Sequence, residues 1–135
     1  MSHESPVREL RVALTVAEYQ EALRFYRDAL GLPVLEEWEQ EGSAGAVLDA
    51  GRATLELLST AQAELVDRVE VGERVAGPVR LALEVDDSAA TAETLTAAGA
   101  ELLGGPAVTP WSHRNARLRA PDGMQLTLFT IVGDQ

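Results

Sequence analysis

Two arginines stand at matching places in two similar stretches. Residues 10–16 read Leu-Arg-Val-Ala-Leu-Thr-Val, and residues 79–85 read Val-Arg-Leu-Ala-Leu-Glu-Val. In each, an Arg is followed two positions on by Ala and four positions on by a polar residue, with apolar residues between. A guanidinium is permanently charged, carries five donors and has no lone pair to give. Arg11 and Arg80 can therefore hold a carboxylate or an oxyanion, but cannot ligate a metal. Glu56 and Glu84 are carboxylates able to pair with them or to move a proton. A second group lies later in the chain. Between Glu101 and Asp122 there is no acid, while His113, Arg114, Arg117 and Arg119 all occur. His113, Asn115 and Arg117 alternate, so they share one strand face, turned either inward or towards solvent as a charged edge. Trp38 and Trp111 are the only tryptophans. Trp38 sits in an acidic run and could flank a flat or cationic ligand; the plainer role is a half-buried strand aromatic.

Much other chemistry is excluded. The chain has no cysteine, which removes disulfides, thiolate metal sites and thiol nucleophiles. All eleven basic residues are Arg, so Schiff-base chemistry is absent as well. Ser43, in Gly-Ser-Ala-Gly, lacks the spacing of a nucleophile elbow, and no phosphate-binding loop is present. The net charge of −11 repels nucleic-acid phosphates and anionic membranes. No apolar run nears the ~18 residues of a membrane span, and residues 1–6 carry no signal pattern. Cytoplasmic residence is the expectation.

The elements that must position these residues follow from periodicity. Residues 9–16 and 79–85 alternate as strands. Tyr19, Leu23, Tyr26 and Leu30 form one helical stripe, which predicts a helix over 16–30 closed by Gly31 and Pro33. Strands are expected at 34–41, 45–49 and 53–58. Residues 61–69 suit a short helix inside a connector. After residue 78 the order repeats: a strand, a helix over 88–98 capped by Asp86 or Asp87, and strands at 101–108, 112–119 and 125–131. Gly104-Gly105 suggests a bulge or bend in the first of these last three. At 135 residues the chain is one compact domain by length. Its parts are a first βαβββ module over 8–60, a connector over 61–77 and a second βαβββ module over 78–132. Arg11 and Arg80 are 69 residues apart, about half the chain, which is the signature of internal duplication.

This order resembles the vicinal oxygen chelate superfamily of glyoxalases, bleomycin resistance proteins and extradiol dioxygenases. The resemblance is carried by Leu-Arg-Phe-Tyr-Arg-Asp-Ala-Leu-Gly-Leu at 23–32, by residues 79–87, and by Ala-Pro-Asp-Gly-Met-Gln-Leu-Thr-Leu-Phe at 120–129. It implies an α+β fold in which two βαβββ modules build curved mixed sheets around a cup, with helices on the convex face. It also implies four metal-ligand places, one on the opening and one on the closing strand of each module. Carried over, these hold Arg11, Arg80, Glu56 and Thr127. Only Glu56 is a ligand type, and neither His3 nor His113 stands at a ligand place. No metal cofactor is therefore expected, and metal-dependent glyoxalase or dioxygenase activity is not.

Strand parity then gives the lining of that cup. Arg11, Ala13 and Thr15 should face it from one module, and Arg80, Ala82 and Glu84 from the other. Thr54, Glu56, Thr127 and Phe129 join them, with Trp38, Trp111, His113 and Asn115 around the rim. Glu56 is expected to bridge Arg11 or Arg80, with Glu84 or a ligand anion balancing the remaining charge. The leading functional expectation is a binding protein of the bleomycin-resistance type. It would hold a small organic molecule in a metal-free cup and sequester a toxic natural product, as antibiotic-resistance proteins do. The alternative is a metal-independent isomerase or lyase whose arginine pair stabilises an oxyanion. A homodimer is expected, since relatives build their cups from paired modules.

Overall fold

The computed structural model describes residues 5–73, 75 and 77–132. His3 lies outside the described residues. The elements run β1 (Val7–Val16), α1 (Tyr19–Leu23), β2 (Val34–Gln40), β3 (Ser43–Asp49), β4 (Thr54–Ser59), α2 (Thr60–Glu70), β5 (Val79–Val85), α3 (Ser88–Ala97), β6 (Glu101–Val108), β7 (His113–Arg119) and β8 (Gln125–Ile131). Each half thus reads strand, helix, strand, strand, strand. The eight strands form one sheet in the order β2-β3-β4-β1-β5-β8-β7-β6, a curved mixed sheet of α+β type.

The halves meet at an antiparallel β1–β5 seam that carries the mark of the repeat. Arg11 lies opposite Ala82, and Ala13 lies opposite Arg80, with Val12 facing Leu81 between them. Each arginine therefore has the small residue of the other half as its neighbour. Paired side chains point to the same side of a sheet, so both guanidiniums emerge on one face. The parallel pairs β1–β4 and β5–β8 extend this symmetry. Ala13 pairs with Glu56, and Ala82 pairs with Thr127, so Glu56 and Thr127 hold equivalent places.

The other face of the sheet carries the apolar core. In the second half Val85, Ala116, Leu118 and Leu128 pack against Ala92 of α3. In the first, Ala46, Leu48 and Leu57 pack against Leu23 of α1. Asp87 caps α3 by accepting from the Ala90 N–H at 3.1 Å, whereas Asp86 pairs with Arg8. The predicted stripe of the first helix is corrected at its end. From Arg24 to Ala29 the helix widens to π geometry, and the Leu30 N–H donates to Phe25. The wider turn rotates Leu30 off the core face, where it is 62% exposed, and Leu32 packs against the core instead.

The largest departure from expectation is α2. The resemblance places helices on the convex face, and α1 and α3 lie there. α2 lies on the opposite, concave face, against β1, β3, β4, β6 and β7. Ser59 caps it, accepting from the Gln62 N–H at 3.2 Å. Its stripe of Gln62, Ala63, Val66, Asp67 and Glu70 is buried, and Ala63 packs on Ala13 and Leu58. The glycine bulge in β6 makes room for its end: a Cβ on Gly104 would strike the Glu70 carbonyl oxygen. No described helix is long and apolar enough to cross a membrane.

Gly45 has a comparable role on the other side of the cup. It pairs with Trp38, and a Cβ there would run into the indole ring. Only a bare backbone lets Trp38 lie across β3. Gly45→Ala is expected to cost about 1–3 kcal/mol through overpacking and to displace the indole. Urea unfolding reads the first effect. The second is read as a changed Trp38 emission spectrum in a Trp111→Phe background.

Candidate functional site

The concave face, α2, β2 and the turn before β7 enclose a cavity of about 550 Å³. Its walls are laid down by strand alternation. Arg11, Arg80, Ala82 and Glu56 face it from the three central strands, and Thr127 and Phe129 from β8. His113 and Asn115 reach it from β7, so that face of β7 turns inward. Trp38 on β2 and Trp111 at the turn stand half-buried as aromatic walls.

Four other expected residues do not line this cavity. Ala13 and Thr15 point to the same side of the sheet, but that end of the cup is filled by α2, with Ala63 seated on Ala13. Thr54 is buried, and its Oγ1 donates to Glu9 Oε2 at 2.7 Å. Glu84 lies opposite Glu9, one step beyond the cavity. In their place α2 contributes residues that sequence reasoning missed, chiefly Leu65, Val69 and Glu70.

Behind the α2 wall is a buried ionic network centred on Arg117, whose side chain is 0% exposed. Its Nη1 donates to Asp67 Oδ1 at 2.9 Å, and its Nη2 donates to Glu70 Oε1 at 2.8 Å. Nε adds bonds to Glu70 Oε1 at 3.1 Å and Thr127 Oγ1 at 3.2 Å, and Nη1 adds one to Gln125. Asn115 Nδ2 donates to Glu70 Oε2 at 2.6 Å. The Thr127 hydroxyl also accepts from Arg80 Nη1 at 2.7 Å and donates to Glu70 at 3.2 Å. Arg80 thus reaches Glu70 through Thr127. The sequence held a trace of this arrangement. Two acids three apart on the connector helix matched an acid-free strand carrying Arg117.

Arg11 is held differently. Its Nε donates to Glu9 Oε2 at 3.1 Å, and its guanidinium lies 5.0 Å from the centre of the Phe129 ring. Ala82 is the small residue opposite Arg11 on β5. His113 stacks on the same ring, with centroids 4.9 Å apart and planes 19° from parallel. Burial, aided by Arg11, pushes the His113 pKa below its ordinary value, so the imidazole facing the cavity is neutral at pH 7.

Glu56 stands apart from all of this. It makes no hydrogen bond or ion pair among the described residues, so the expected bridge to Arg11 or Arg80 is corrected. Arg11 is engaged by Glu9, and Arg80 turns to Thr127. Burial raises the Glu56 pKa above the ordinary carboxylate value, outweighing the opposite pull of Arg80 and then of Arg11. Among the described residues that line the cavity, Asn115 also carries a buried Oδ1 with no donor.

The four equivalent places do not fit a divalent metal. Two guanidiniums and a hydroxyl already bonded to both Arg80 and Glu70 surround the one carboxylate. Among the described residues no three His, Asp or Glu side chains converge.

Two outcomes follow from this geometry. Glu70→Ala leaves Arg117 and Asn115 without their main acceptor and is expected to cost about 3–5 kcal/mol, read by urea unfolding. Glu56 sets a pH dependence. The folded chain keeps its proton to a higher pH than the unfolded chain, where the reference value is 4.5. Its contribution is complete below 4.5 and is lost as pH rises through the folded value. Glu56→Gln is expected to remove that decline from a series of unfolding midpoints across acid to neutral pH.

The comparisons with known proteins agree with this architecture. Residues 10–128 match the model of the Glyoxalase/Bleomycin resistance protein/Dioxygenase superfamily. The chain is 28% identical over 127 residues to the uncharacterised protein YraH of Bacillus subtilis (strain 168), covering 91% of this chain and 98% of that one. Among solved structures, a hypothetical protein of Bacillus halodurans C-125 aligns with a TM-score of 0.68 at 19% identity, covering 93% of this chain and 94% of that one. Methylmalonyl-CoA epimerase of Mycobacterium tuberculosis aligns with a TM-score of 0.68 at 22% identity, covering 98% and 94%. Identities this low speak for the fold alone. The family match spans most of the chain, and on that ground the chain belongs to the glyoxalase/bleomycin resistance protein/dioxygenase superfamily.

Proposed function

We propose that this chain binds a small organic molecule in the cavity without a resident metal, in the manner of a sequestering resistance protein. The observation that carries this is a cavity of about 550 Å³ whose aromatic walls surround a carboxylate, Glu56, that has no hydrogen-bond or ion-pair partner among the described residues. Pockets of this size suit a molecule with a flat apolar body and a few polar groups. The donor set Arg11, Arg80, Glu56 and Thr127 supports metal-free binding. A toxic natural product is the proposed cargo, and the cytoplasm the proposed place of action.

One observation favours a second reading. Glu56 is a carboxylate whose pKa is raised by burial, which suits a group that takes a proton from a substrate. The chain would then be a metal-independent isomerase or lyase, with Arg80 and Arg11 facing a developing oxyanion. The fold shared with methylmalonyl-CoA epimerase is compatible with that. The existing bonds of Arg11 to Glu9 and of Arg80 to Thr127 weigh against it. A thermal-shift screen of small molecules tests the leading reading, since a ligand raises the melting point by mass action. The expected hits bind and are recovered unchanged; turnover of a hit would move the assignment to the enzyme. Elemental analysis is expected to find no stoichiometric zinc, iron, manganese or nickel, and about one per chain would overturn metal-free binding.

We also propose a homodimer. β2 and β6 close the two ends of the sheet with free edges, and Leu35 and Val108 on them are 59% and 60% exposed. Light scattering is expected to give twice the 14.5 kDa chain mass; a monomer at micromolar concentration would overturn it.

A further inference from the structure

Among the described residues the cavity holds one carboxylate, Glu56, that no protein donor engages. We infer that the cavity takes a protonated nitrogen base on an aromatic body, an amine or amidinium, with Glu56 as its counter-ion. This rests on the cavity being a ligand site and adds the charge of the ligand.

The two arginines were expected to exceed the acids around them. The folded chain supplies further acids. Glu9 holds Arg11. Asp67 and Glu70 hold Arg117, and Thr127 links Arg80 to Glu70. Among the described residues Arg11 and Arg117 are ion-paired and Arg80 is bonded to the Thr127 hydroxyl, while Glu56 is the cavity acid that no hydrogen-bond donor engages. His113 adds no positive charge, being held neutral. At the mouth the exposed Glu36 and Glu37 add further negative charge.

A second and independent feature also calls for a donor. Asn115 is 5% exposed, lines the cavity, and spends its Nδ2 on Glu70. That bond fixes the amide orientation, because a carboxylate can only accept. Among the described residues its Oδ1 is left as a buried acceptor with no donor, a costly state. The indoles of Trp38 and Trp111 suit a flat ring and attract a cation over their faces. A carboxylate ligand would instead meet Glu56, Glu36 and Glu37, and among the described residues Arg11 and Arg80 are already bonded to Glu9 and Thr127.

Glu56 must be ionised to serve as counter-ion. The groups acting on it are Arg80 on β5, Arg11 on β1, Glu70 on α2 and Glu36 on β2; burial and the two acids favour the proton, while the two arginines oppose it. A cationic ligand therefore competes with a proton, and its affinity rises as pH rises through the Glu56 range.

The test uses three probes of nearly one shape on the full chain: benzamidinium, benzamide and benzoate. Titration calorimetry measures each on the wild type, Glu56→Gln and Glu56→Asp. Benzamidinium is expected to bind the wild type about tenfold or more tighter than benzamide. Glu56→Gln is expected to lose that preference, Glu56→Asp to keep it, and the wild-type preference to weaken as pH falls. Should Glu56→Gln fail to fold, the probe series on the wild type and its pH dependence decide alone. Benzoate binding tighter than benzamidinium, or a cation preference surviving in Glu56→Gln, would overturn the inference while leaving the cavity a ligand site. Binding of none of the three at millimolar concentration would overturn the ligand site itself.

Discussion

The pairing of Arg117 with Asp67 and Glu70 is the constraint on which the site depends. It ties α2 to the concave face of the sheet, and α2 is one whole wall of the cavity. Burying ions costs several kcal/mol each, so such a pairing holds only when the geometry is good and every donor is used. Here Nε, Nη1 and Nη2 all find acceptors on Asp67, Glu70, Gln125 and Thr127. A lysine, with one point charge, could not span these acceptors. Asp67 and Glu70 are three residues apart and so share one side of the helix, which fixes its rotation as well as its place. The close approach this requires is met by Gly104, where any side chain would collide with the end of α2.

The duplicated seam sets the other dimension. Because Arg11 faces Ala82 and Arg80 faces Ala13, the sheet carries a large residue beside a small one on each side of its pseudo-twofold axis. With the small Ala82 as its neighbour, Arg11 reaches past β5 to the ring of Phe129 on β8. At Ala13 the small neighbour admits Ala63 of α2. One repeated pattern thus serves two ends, an open floor on one side of the axis and a seat for a helix on the other. The divergence lies in what was laid over the repeat.

The strands, their order of appearance and the inward parity of Arg11, Arg80, Glu56, Thr127 and Phe129 were legible in the sequence. Alternation and turn residues are local signals, and the repeat doubled them. What escaped was not local. Nothing in residues 61–69 says which face of the sheet their helix will cover, since a short amphipathic segment fits either. That choice is made by Arg117, 47 residues beyond Glu70. The outward turn of Leu30 escaped for a different reason: a π-helical turn changes the period on which the stripe was read. Ala13, Thr15 and Thr54 were given the correct sheet face, but parity cannot say that α2 or Glu9 already covers it.

The same non-local contacts change how the charges in the cavity are met. Counted from the four equivalent strand places alone, two guanidiniums exceed one carboxylate, and an anion would be wanted. The folded chain brings Glu9 from further along β1, and Asp67 and Glu70 from α2, so compensation comes from outside those places. A charge is neutralised by what packs against it, not by its counterpart in a repeat. Once Arg11 and Arg80 are engaged, Glu56 is under no pull strong enough to offset its burial, and its raised pKa is the sign of that deficit. A proton is one cation that can meet the deficit. A larger cation, bringing its own ring to the aromatic walls, meets it with more contacts, and must displace the proton to do so.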